Sequence, residues 1–244
     1  MFHFIRKKQI LSEVIPPDYV DIHCHLLPGI DDGAATFEDT LSLTNALRKF
    51  GFEQSIVTPH IMATVWDNTP EIIETTYNTT VHHLKAHNQH PLRFAAEYLI
   101  DPHFVKLFRT EPLLTLKDNY VLVELSYINP PIQLYDIIFE LQVAGYQPVL
   151  AHPERYLYFH HHISNYEKLK FSGCLFQLNL LSTVGYYGIE VAKTAEKLLR
   201  KGMIDFVGSD VHHENHIKAF SEKILLKDIV SFQEAIEKNQ FFRW

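Results

Sequence analysis

The sequence has little cysteine, with only Cys24 and Cys174 among its 244 residues. Two cysteines cannot form the disulfide framework of a small secreted protein, and no secretion signal is evident, so we expect a protein of the reducing cytoplasm. A thiol-based tyrosine phosphatase needs an arginine six positions after its cysteine, where this chain has Ile30 and Leu180. The cysteines therefore exclude both a disulfide scaffold and thiolate phosphatase chemistry.

Three further features are missing from the sequence. No apolar run is long enough to span a membrane. The 22 basic residues are outnumbered by 29 acidic ones, and the formal net charge of -7 disfavours nonspecific binding of nucleic acid. No glycine-rich phosphate motif follows the first predicted strand, which argues against an open doubly wound sheet. The remaining composition, 46% hydrophobic and 21% charged, is typical of a globular protein.

Short apolar segments alternate with helical patterns along the chain. Seven segments predict strands, at 19–23, 54–60, 92–97, 120–125, 147–152, 174–179 and 204–210. Helical patterns lie between most of them and after the last, at 36–51, 70–88, 131–145, 188–202 and 226–239. Such alternation favours parallel strands that are buried on both faces. We therefore predict an α/β fold, a distorted TIM-like barrel of about seven parallel strands over residues 19–244, preceded by an N-terminal extension over residues 1–18.

Metal-binding side chains stand at the ends of six of the seven predicted strands. The carboxyl ends of parallel strands meet at one rim in such folds, so these side chains are expected to lie together. They are His23, His25, His60, Glu97, Glu124, His152, Asp210 and His212. The first two are one residue apart and point to the same face of their strand, because side chains alternate along a strand. The remaining strand, which ends near Asn179, offers no strong metal ligand.

Two adjacent aspartates, Asp31 and Asp32, follow the first predicted strand. From spacing alone, either could be a ligand, a turn former or a helix cap. With one of them the ligands number nine, which exceeds the four to six that one zinc or manganese ion takes. The sequence therefore predicts two or three divalent ions, Mn, Fe or Zn, with a bridging carboxylate. Clustered ions of this kind clamp phosphoryl oxygens and activate water, so the predicted chemistry is hydrolysis of a phosphoester.

An arginine lies close to this ligand set in the segment AHPERY, where Arg155 follows His152 by three positions. A guanidinium group can hold two oxygens of a phosphate as a planar fork. The alternative is that Arg155 pairs with Glu154 or another acidic residue of the surface. We predict the phosphate-binding role, in which Arg155 is also a catalytic residue.

The ordered motifs DIHCHLLPGIDDGA, TPH, AAEY, LVELS, AHPERY and GSDVH resemble those of the polymerase and histidinol phosphatase (PHP) superfamily. Within it, they resemble the bacterial tyrosine-protein phosphatases encoded with capsule and exopolysaccharide machinery, from about Val20 to Lys218. The resemblance implies a distorted seven-stranded barrel, three metal ions, often manganese, and hydrolysis of phosphotyrosine by a metal-bound hydroxide. It also implies a protein partner, the phosphotyrosine-bearing kinase that regulates polysaccharide assembly.

The resemblance further implies how the ligands are shared among the ions. The first ion takes His23, His25, Glu97 and Asp210. The second shares Glu97 and also takes Glu124 and His152. The third takes Asp32, His60 and His212, and Arg155 binds the phosphate. Some relatives have a second phosphate-binding arginine after the SDVH motif, where this chain offers Lys218 as the candidate substrate-binding residue.

Three other functions remain open from the sequence. The first is a small-molecule phosphatase of the same superfamily, such as one acting on histidinol phosphate. The second is a metal-dependent nuclease, which is disfavoured because no basic groove for a nucleic-acid strand is evident. The third is a non-catalytic module that binds phosphotyrosine and has structural metals. A protein substrate calls for an open rim and a small metabolite for an enclosed pocket.

Overall fold

The computed structural model describes residues 8–87 and 90–244. Within these residues the chain forms nine strands, β1 (Tyr19–Cys24), β2 (Phe52–Val57), β3 (His60–Ile61), β4 (Leu92–Phe94), β5 (Glu97–Leu99), β6 (Tyr120–Glu124), β7 (Gln147–Ala151), β8 (Leu175–Asn179) and β9 (Phe206–Gly208). Each of the seven predicted segments contains a strand. The segments 54–60 and 92–97 are each divided between two strands.

The strands form two parallel sheets. One has the order β1-β2-β4 and the other the order β3-β5-β6-β7-β8-β9. A single bridge between Cys24 and Val211 links the end of β1 to the residues after β9. Pro59 lies between β2 and β3 and has no N–H to donate to a neighbouring strand, which helps to divide the ladder there. The fold is therefore α/β with parallel sheets, whereas the predicted TIM-like barrel of about seven strands is not confirmed, because the sheets do not close.

Helices follow most of the strands. They are α1 (Leu11–Val14), α2 (Phe37–Lys49), α3 (Pro70–His87), α4 (Pro102–Thr110), α5 (Leu134–Val143), α6 (Ile163–Phe171), α7 (Ile189–Arg200), α8 (Glu214–Ala219) and α9 (Ile229–Lys238). The five predicted helices correspond to α2, α3, α5, α7 and α9, and Asn88, at the end of the predicted helix 70–88, lies outside the described residues. Among the helices described, none has both the length and the apolar character needed to cross a bilayer.

Local sequence signals fix where α2 begins and ends. Thr36 Oγ1 accepts the N–H of Asp39 at 3.2 Å, and the N–H of Thr36 donates to the Asp39 carboxylate at 3.0 Å. This reciprocal capping box satisfies two N–H groups that a helix start leaves open. After the helix, Gly51 adopts a φ of +101°, and a Cβ there would lie 2.5 Å from the carbonyl oxygen of Pro16. Glycine is therefore required where the chain turns into β2.

The N-terminal segment packs on the rest of the chain where it is described. Residues 1–7 of the predicted extension lie outside the described residues. Leu11 is fully buried, and its N–H donates to the carbonyl oxygen of Glu222 at 3.0 Å. The N–H of Ser12 donates to the carbonyl oxygen of Phe220 at 2.9 Å. The described part of the extension is thus tied by hydrogen bonds to the chain that follows α8.

His90 is expected to make stability depend on pH at a place remote from the strand ends. Burial, with a smaller contribution from the charge of Arg48, lowers the pKa of His90 to about 4. The unfolded chain binds a proton there near pH ~6.5, so the stabilising contribution is complete above that pH and is lost as the pH falls towards the folded pKa. At pH ~5.5 the loss is on the order of 1 kcal/mol.

We therefore expect the free energy of unfolding of the metal-free protein to fall by roughly 1 kcal/mol more, between pH ~7.5 and ~5.5, than that of His90→Gln. Urea denaturation at the two pH values measures this difference. Glutamine is the matched replacement because it can still contact Ser55 Oγ, which lies 2.9 Å from His90 Nε2, but does not titrate. An equal fall in both proteins would contradict the prediction.

Candidate metal centre

The two histidines of the first strand present the same ring nitrogen to one point. His23 is the last but one residue of β1, and His25 directly follows the strand. Their Nε2 atoms are 3.2 Å apart. The opposite nitrogen of each ring is held in place, since His23 Nδ1 lies 2.8 Å from Gln177 Oε1 and His25 Nδ1 lies 2.8 Å from Asp31 Oδ2. Both partners are acceptors, so each Nδ1 carries the proton and each Nε2 is left with a lone pair for a cation.

Glu97, the first residue of β5, lies at the centre of the histidines. Its Oε2 atom is 3.1 Å from His23 Nε2, 3.4 Å from His25 Nε2 and 3.3 Å from His60 Nδ1, and its Oε1 atom is 3.1 Å from His152 Nε2. The side chain is fully buried. Burial alone would raise the pKa of Glu97, but the surrounding histidines hold it well below its usual range. A carboxylate that faces four imidazoles in this way has the geometry of a bridging ligand.

All nine predicted ligands fall into four overlapping groups that could hold metal ions, each with ligand atoms within 4.8 Å of one another. These groups are His23, His25 and Asp210; His23, Glu97 and His152; His60, Glu97 and Glu124; and His25, Asp32, His60 and His212. Asp32 is the aspartate that joins a group, and its neighbour Asp31 orients His25 instead. The two aspartates thus have different contacts, Asp32 with candidate ligands and Asp31 with His25 Nδ1. Their spacing in the sequence did not distinguish these two arrangements.

Unsatisfied polar atoms test whether these residues fit a cation. His60 Nδ1 and Glu124 Oε1 are buried and 3.1 Å apart, yet neither makes a hydrogen bond. His152 Nδ1 is also buried without a hydrogen-bond partner. Buried polar groups are nearly always hydrogen-bonded, so their presence here fits a site that divalent cations complete. Nitrogen and oxygen donors without thiolates are the set that manganese, iron and zinc accept.

The charges of the carboxylates raise the pKa values of three imidazoles, His23, His25 and His60, in the metal-free protein. Burial would lower the pKa of His60, but the charge of Glu97 and contact with Glu124 raise it to about 9. Burial would raise the pKa of Asp210, but His23 and other positive neighbours hold it far below its usual range. A divalent cation that enters the site therefore displaces protons from histidines and meets carboxylates that are already ionised.

Two of the candidate ligands have strained backbones. His152 has a φ of 35° and Asp210 a φ of 51°, both in the left-handed region. Such conformations cost residues other than glycine about 1–3 kcal/mol and persist only where neighbouring contacts enforce them. His152 directly follows β7, and Asp210 lies two residues beyond the end of β9. In these positions the left-handed backbone turns their side chains towards the other candidate ligands.

Arg155 lies beside the ligands, in a 3-10 helix over Pro153–Arg155. Its Nη1 atom donates to Asp210 Oδ2 at 2.8 Å. The guanidinium carbon lies 4.0 Å from the ring centroid of Tyr187 and 4.9 Å from that of Tyr127, so two aromatic rings flank its plane. The hydrogen-bond partner of Arg155 is therefore Asp210, and not Glu154, which was the alternative considered from the sequence.

One cavity of about 330 Å³ joins these side chains. Its lining includes Asp32, His60, Glu97, Glu124, His152, Arg155, Asp210 and His212, together with Met62, Trp66, Tyr127, Tyr187, His213 and His216. The side chain of Asp32 is 56% exposed, whereas that of Glu97 is fully buried. The cavity thus runs from a solvent-facing rim to a buried carboxylate, which leaves room for a phosphate group between the ligands and Arg155.

Lys218 is the one predicted site residue that neither lines this cavity nor belongs to the four ligand groups. It is exposed on α8, and its Nζ atom lies 3.3 Å from Asn215 Oδ1 of the same helix. His216 lines the cavity, and residues two apart on a helix differ by about 200° in direction. Lys218 therefore faces away from the side on which His216 meets the cavity.

Two polar residues of β8 were missed by the sequence analysis, which found no strong ligand on that strand. Gln177 Oε1 accepts a hydrogen bond from His23 Nδ1 at 2.8 Å, and Asn179 Nδ2 donates to Asp210 Oδ2 at 2.7 Å. The two side chains are fully buried. Because they are two positions apart in a strand, they point to the same face, and that spacing was a signal available in the sequence.

Neither cysteine has the character of a nucleophile. Both are fully buried. Burial raises the pKa of Cys24 well above its usual value and that of Cys174 to about 12. A thiol becomes nucleophilic only as the thiolate, so these residues contribute packing and not thiolate chemistry.

Comparison with known proteins assigns the chain to a family. A family model described as capsular polysaccharide synthesis, CpsB/CapC, matches residues 19–223. The chain belongs to the CpsB/CapC family. The resemblance inferred from the motifs is thereby confirmed at the level of the family, since the matched residues contain all nine candidate ligands and Arg155.

A relative in sequence and a similar solved structure both carry a functional name. The tyrosine-protein phosphatase YwqE of Bacillus subtilis (strain 168) is 30% identical over 197 residues, which cover 80% of this chain and 77% of the relative. A chain from the crystal structures of YwqE and of CpsB from Streptococcus pneumoniae, described as unique metal-dependent tyrosine phosphatases, aligns with a TM-score of 0.75 and 29% identity. That alignment covers 82% of this chain and 84% of the other.

A more distant structure shares the fold of this CpsB/CapC protein. Histidinol phosphate phosphatase of Lactococcus lactis, solved with zinc, L-histidinol and phosphate, aligns with a TM-score of 0.51 over 91% of this chain and 94% of the other. The identity is 11%, so the likeness concerns the fold alone. The two chains therefore share an α/β architecture over most of their lengths.

Proposed function

We propose that this protein is a metal-dependent protein-tyrosine phosphatase. The observation that carries the proposal is the convergence of nine imidazole and carboxylate side chains in overlapping groups, and seven of these side chains line one cavity together with Arg155. Membership of the CpsB/CapC family and the likeness to structures of metal-dependent tyrosine phosphatases support it. The proposed ligands are His23, His25, Asp32, His60, Glu97, Glu124, His152, Asp210 and His212.

The proposed cofactor is a set of three divalent ions, with manganese preferred over iron or zinc. Such ions, when bound, lower the pKa of water and neutralise charge on a phosphoryl group. The ionised carboxylates of Glu97 and Asp210 hold the cations in place. Arg155 orients the phosphate with its remaining N–H groups and stabilises the charge that develops on the phosphoryl oxygens.

The proposed substrate is a phosphotyrosine on a protein, and the proposed partner is a tyrosine kinase of polysaccharide assembly in the cytoplasm. The exposed Asp32 at the cavity rim favours a side chain presented from a protein surface over an enclosed metabolite. The rings of Tyr127 and Tyr187 at the cavity wall are compatible with an aromatic phosphoester. Hydrolysis of histidinol phosphate remains the competing outcome of the test below.

We also propose that residues 19–244 form one PHP-type domain and that its two sheets together make a distorted barrel. The bridge between Cys24 and Val211 links the sheets at one side. At the other side the chain runs directly from β2 to β3, and the N–H of Glu97 donates to the carbonyl oxygen of Pro59 at 3.1 Å. These contacts support a distorted barrel that is interrupted at the strand breaks.

The test is to remove metal with a chelator, to reload the protein with Mn, Fe or Zn, and to compare two substrates. We expect chelation to abolish activity, manganese to restore it, and about three ions to bind per chain. We expect kcat/KM for a phosphotyrosine peptide to exceed that for histidinol phosphate at least about tenfold. The reverse ratio would establish the small-molecule alternative, and a fully loaded protein without activity on either substrate would overturn the proposed function.

A further inference from the structure

The two carboxylate oxygens of Asp210 have different surroundings. Oδ1 faces three candidate ligands, at 3.3 Å from His23 Nε2 and 3.5 Å from both His25 Nε2 and His212 Nδ1. Oδ2 points away from them and accepts two hydrogen bonds. Oδ1 is therefore the atom available to a cation, and the bonds to Oδ2 decide which way the carboxylate is turned.

The two donors to Oδ2 differ in what else they can do. Arg155 Nη1 donates to it at 2.8 Å and Asn179 Nδ2 at 2.7 Å. Arg155 lines the cavity and its side chain is 21% exposed, whereas Asn179 is fully buried. A phosphate in the cavity competes with Asp210 for the guanidinium group, but it does not reach the buried amide. Asn179 is thus the donor that can hold Asp210 whether or not phosphate is bound.

The amide of Asn179 is itself fixed from several sides. Asn179 is the last residue of β8 and caps the 3-10 helix over Leu180–Val184, since its Oδ1 atom accepts the N–H of Leu181 at 2.8 Å. Its backbone N–H donates to Glu154 Oε1 at 3.0 Å, and Nδ2 donates a second bond to Tyr187 Oη at 3.1 Å. A flipped amide would place oxygen against the Asp210 carboxylate, so the network selects one orientation.

The backbone of Asp210 also needs such an anchor. Its φ of 51° is unfavourable for an aspartate that no contact restrains. Its N–H donates to the carbonyl oxygen of His23 at 2.7 Å, which fixes the main chain. The bonds to Oδ2 fix the side chain, and groups that orient ligands in this way affect metal affinity without touching the metal.

We propose that Asn179 is a positioning residue, which holds Asp210 with Oδ1 towards the metal ligands and so frees Arg155 to bind the phosphate. This inference rests on the proposed function for the role of Arg155. Its part concerning Asp210 can be tested by metal binding alone, without any substrate.

The decisive variant is Asn179→Ser. A serine still accepts the N–H of Leu181 as a helix cap, but it is too short to reach Asp210. Asn179→Ala removes both contacts. The matched control is Ser182→Ala, which removes a buried bond of 2.6 Å to Glu154 from the same loop and does not touch Asp210. Thermal unfolding of the metal-free proteins compares the structural cost of each change.

The first readout is the dissociation constant of Mn²⁺, measured calorimetrically on metal-free protein. We expect it to rise about tenfold or more in Asn179→Ser and Asn179→Ala, and to change less than about threefold in Ser182→Ala at a similar shift in the unfolding temperature. Parental Mn²⁺ affinity in Asn179→Ser would overturn the inference. An equal loss of affinity in Ser182→Ala would also overturn it, because it would indicate a general effect of the loop.

The second readout is the division between kcat and KM at saturating Mn²⁺. In Asn179→Ser we expect kcat to return to within about threefold of the parent, while KM for a phosphotyrosine peptide and Ki for inorganic phosphate stay about tenfold higher. The reason is that Arg155 is then the remaining donor to Asp210 Oδ2 among the described residues. Parental KM and Ki values would contradict the release of Arg155. A parent protein that does not hydrolyse the peptide would defeat the proposed function, and the Mn²⁺ comparison would still decide the role of Asn179.

Discussion

Replacement of Glu97 by glutamine is expected to lower kcat/KM for a phosphotyrosine peptide at least about 1000-fold, which corresponds to about 4 kcal/mol of transition-state stabilisation. Glutamine has almost the same shape but lacks the charge. Glu97 faces His23, His25, His60 and His152 at 3.1–3.4 Å, so every proposed ion that shares these histidines loses its central anion. No other carboxylate of the site contacts as many imidazoles.

Metal analysis of Glu97→Gln distinguishes a loss of bound ions from a loss of catalytic activity at a full metal complement. We expect fewer bound ions per chain than in the parent under the same loading conditions, because a neutral amide binds divalent cations poorly. The control is Glu140→Gln, which removes a carboxylate from a solvent-exposed pair with Arg109 and should change kcat/KM less than about twofold. If Glu97→Gln kept more than about a tenth of the parental activity with a full metal complement, Glu97 would not be a bridging ligand.

The convergence of the candidate ligands could be predicted from the sequence because their positions follow from topology. Residues at the carboxyl ends of parallel strands share one rim, whatever the angles between the strands. His60 and Glu97 illustrate this, since each lies three residues beyond the carboxyl end of a strand, β2 for His60 and β4 for Glu97, and His60 Nδ1 is 3.3 Å from Glu97 Oε2. A one-dimensional pattern is sufficient when the fold class determines which ends converge.

Features that depend on three-dimensional detail were less accessible. The division of the sheet at Pro59 depends on which N–H groups the neighbouring strand requires, and the separate positions of Asp31 and Asp32 depend on the loop geometry after β1. Lys218 was selected for its charge and its place after a motif, but the short helix α8 turns it away from the cavity. Asn179 was passed over because amides are weak metal ligands, although an amide is well suited to orient a carboxylate.

Replacement of Arg155 by alanine is expected to lower kcat/KM by about 100-fold to 1000-fold, as removal of a single donor to a developing oxyanion typically does. Metal content should stay at the parental level, because Asn179 still holds Asp210 Oδ2. Arg155→Lys keeps the charge but not the planar fork that the rings of Tyr127 and Tyr187 flank, so it should recover only part of the activity.

Steady-state kinetics with a phosphotyrosine peptide, together with Ki for inorganic phosphate, measures the effect at Arg155. A weaker affinity for phosphate at unchanged metal content locates the defect in anion binding and not in assembly of the centre. Arg109→Ala is the matched control, because the Arg109 side chain is 55% exposed and pairs only with the surface carboxylate of Glu140 among the ion pairs of the described residues. The activity of this variant should stay within about twofold of the parent. Retention of kcat/KM within about tenfold in Arg155→Ala would show that the ions alone bind the phosphate, because a positioned arginine is worth more than that in a water-poor site.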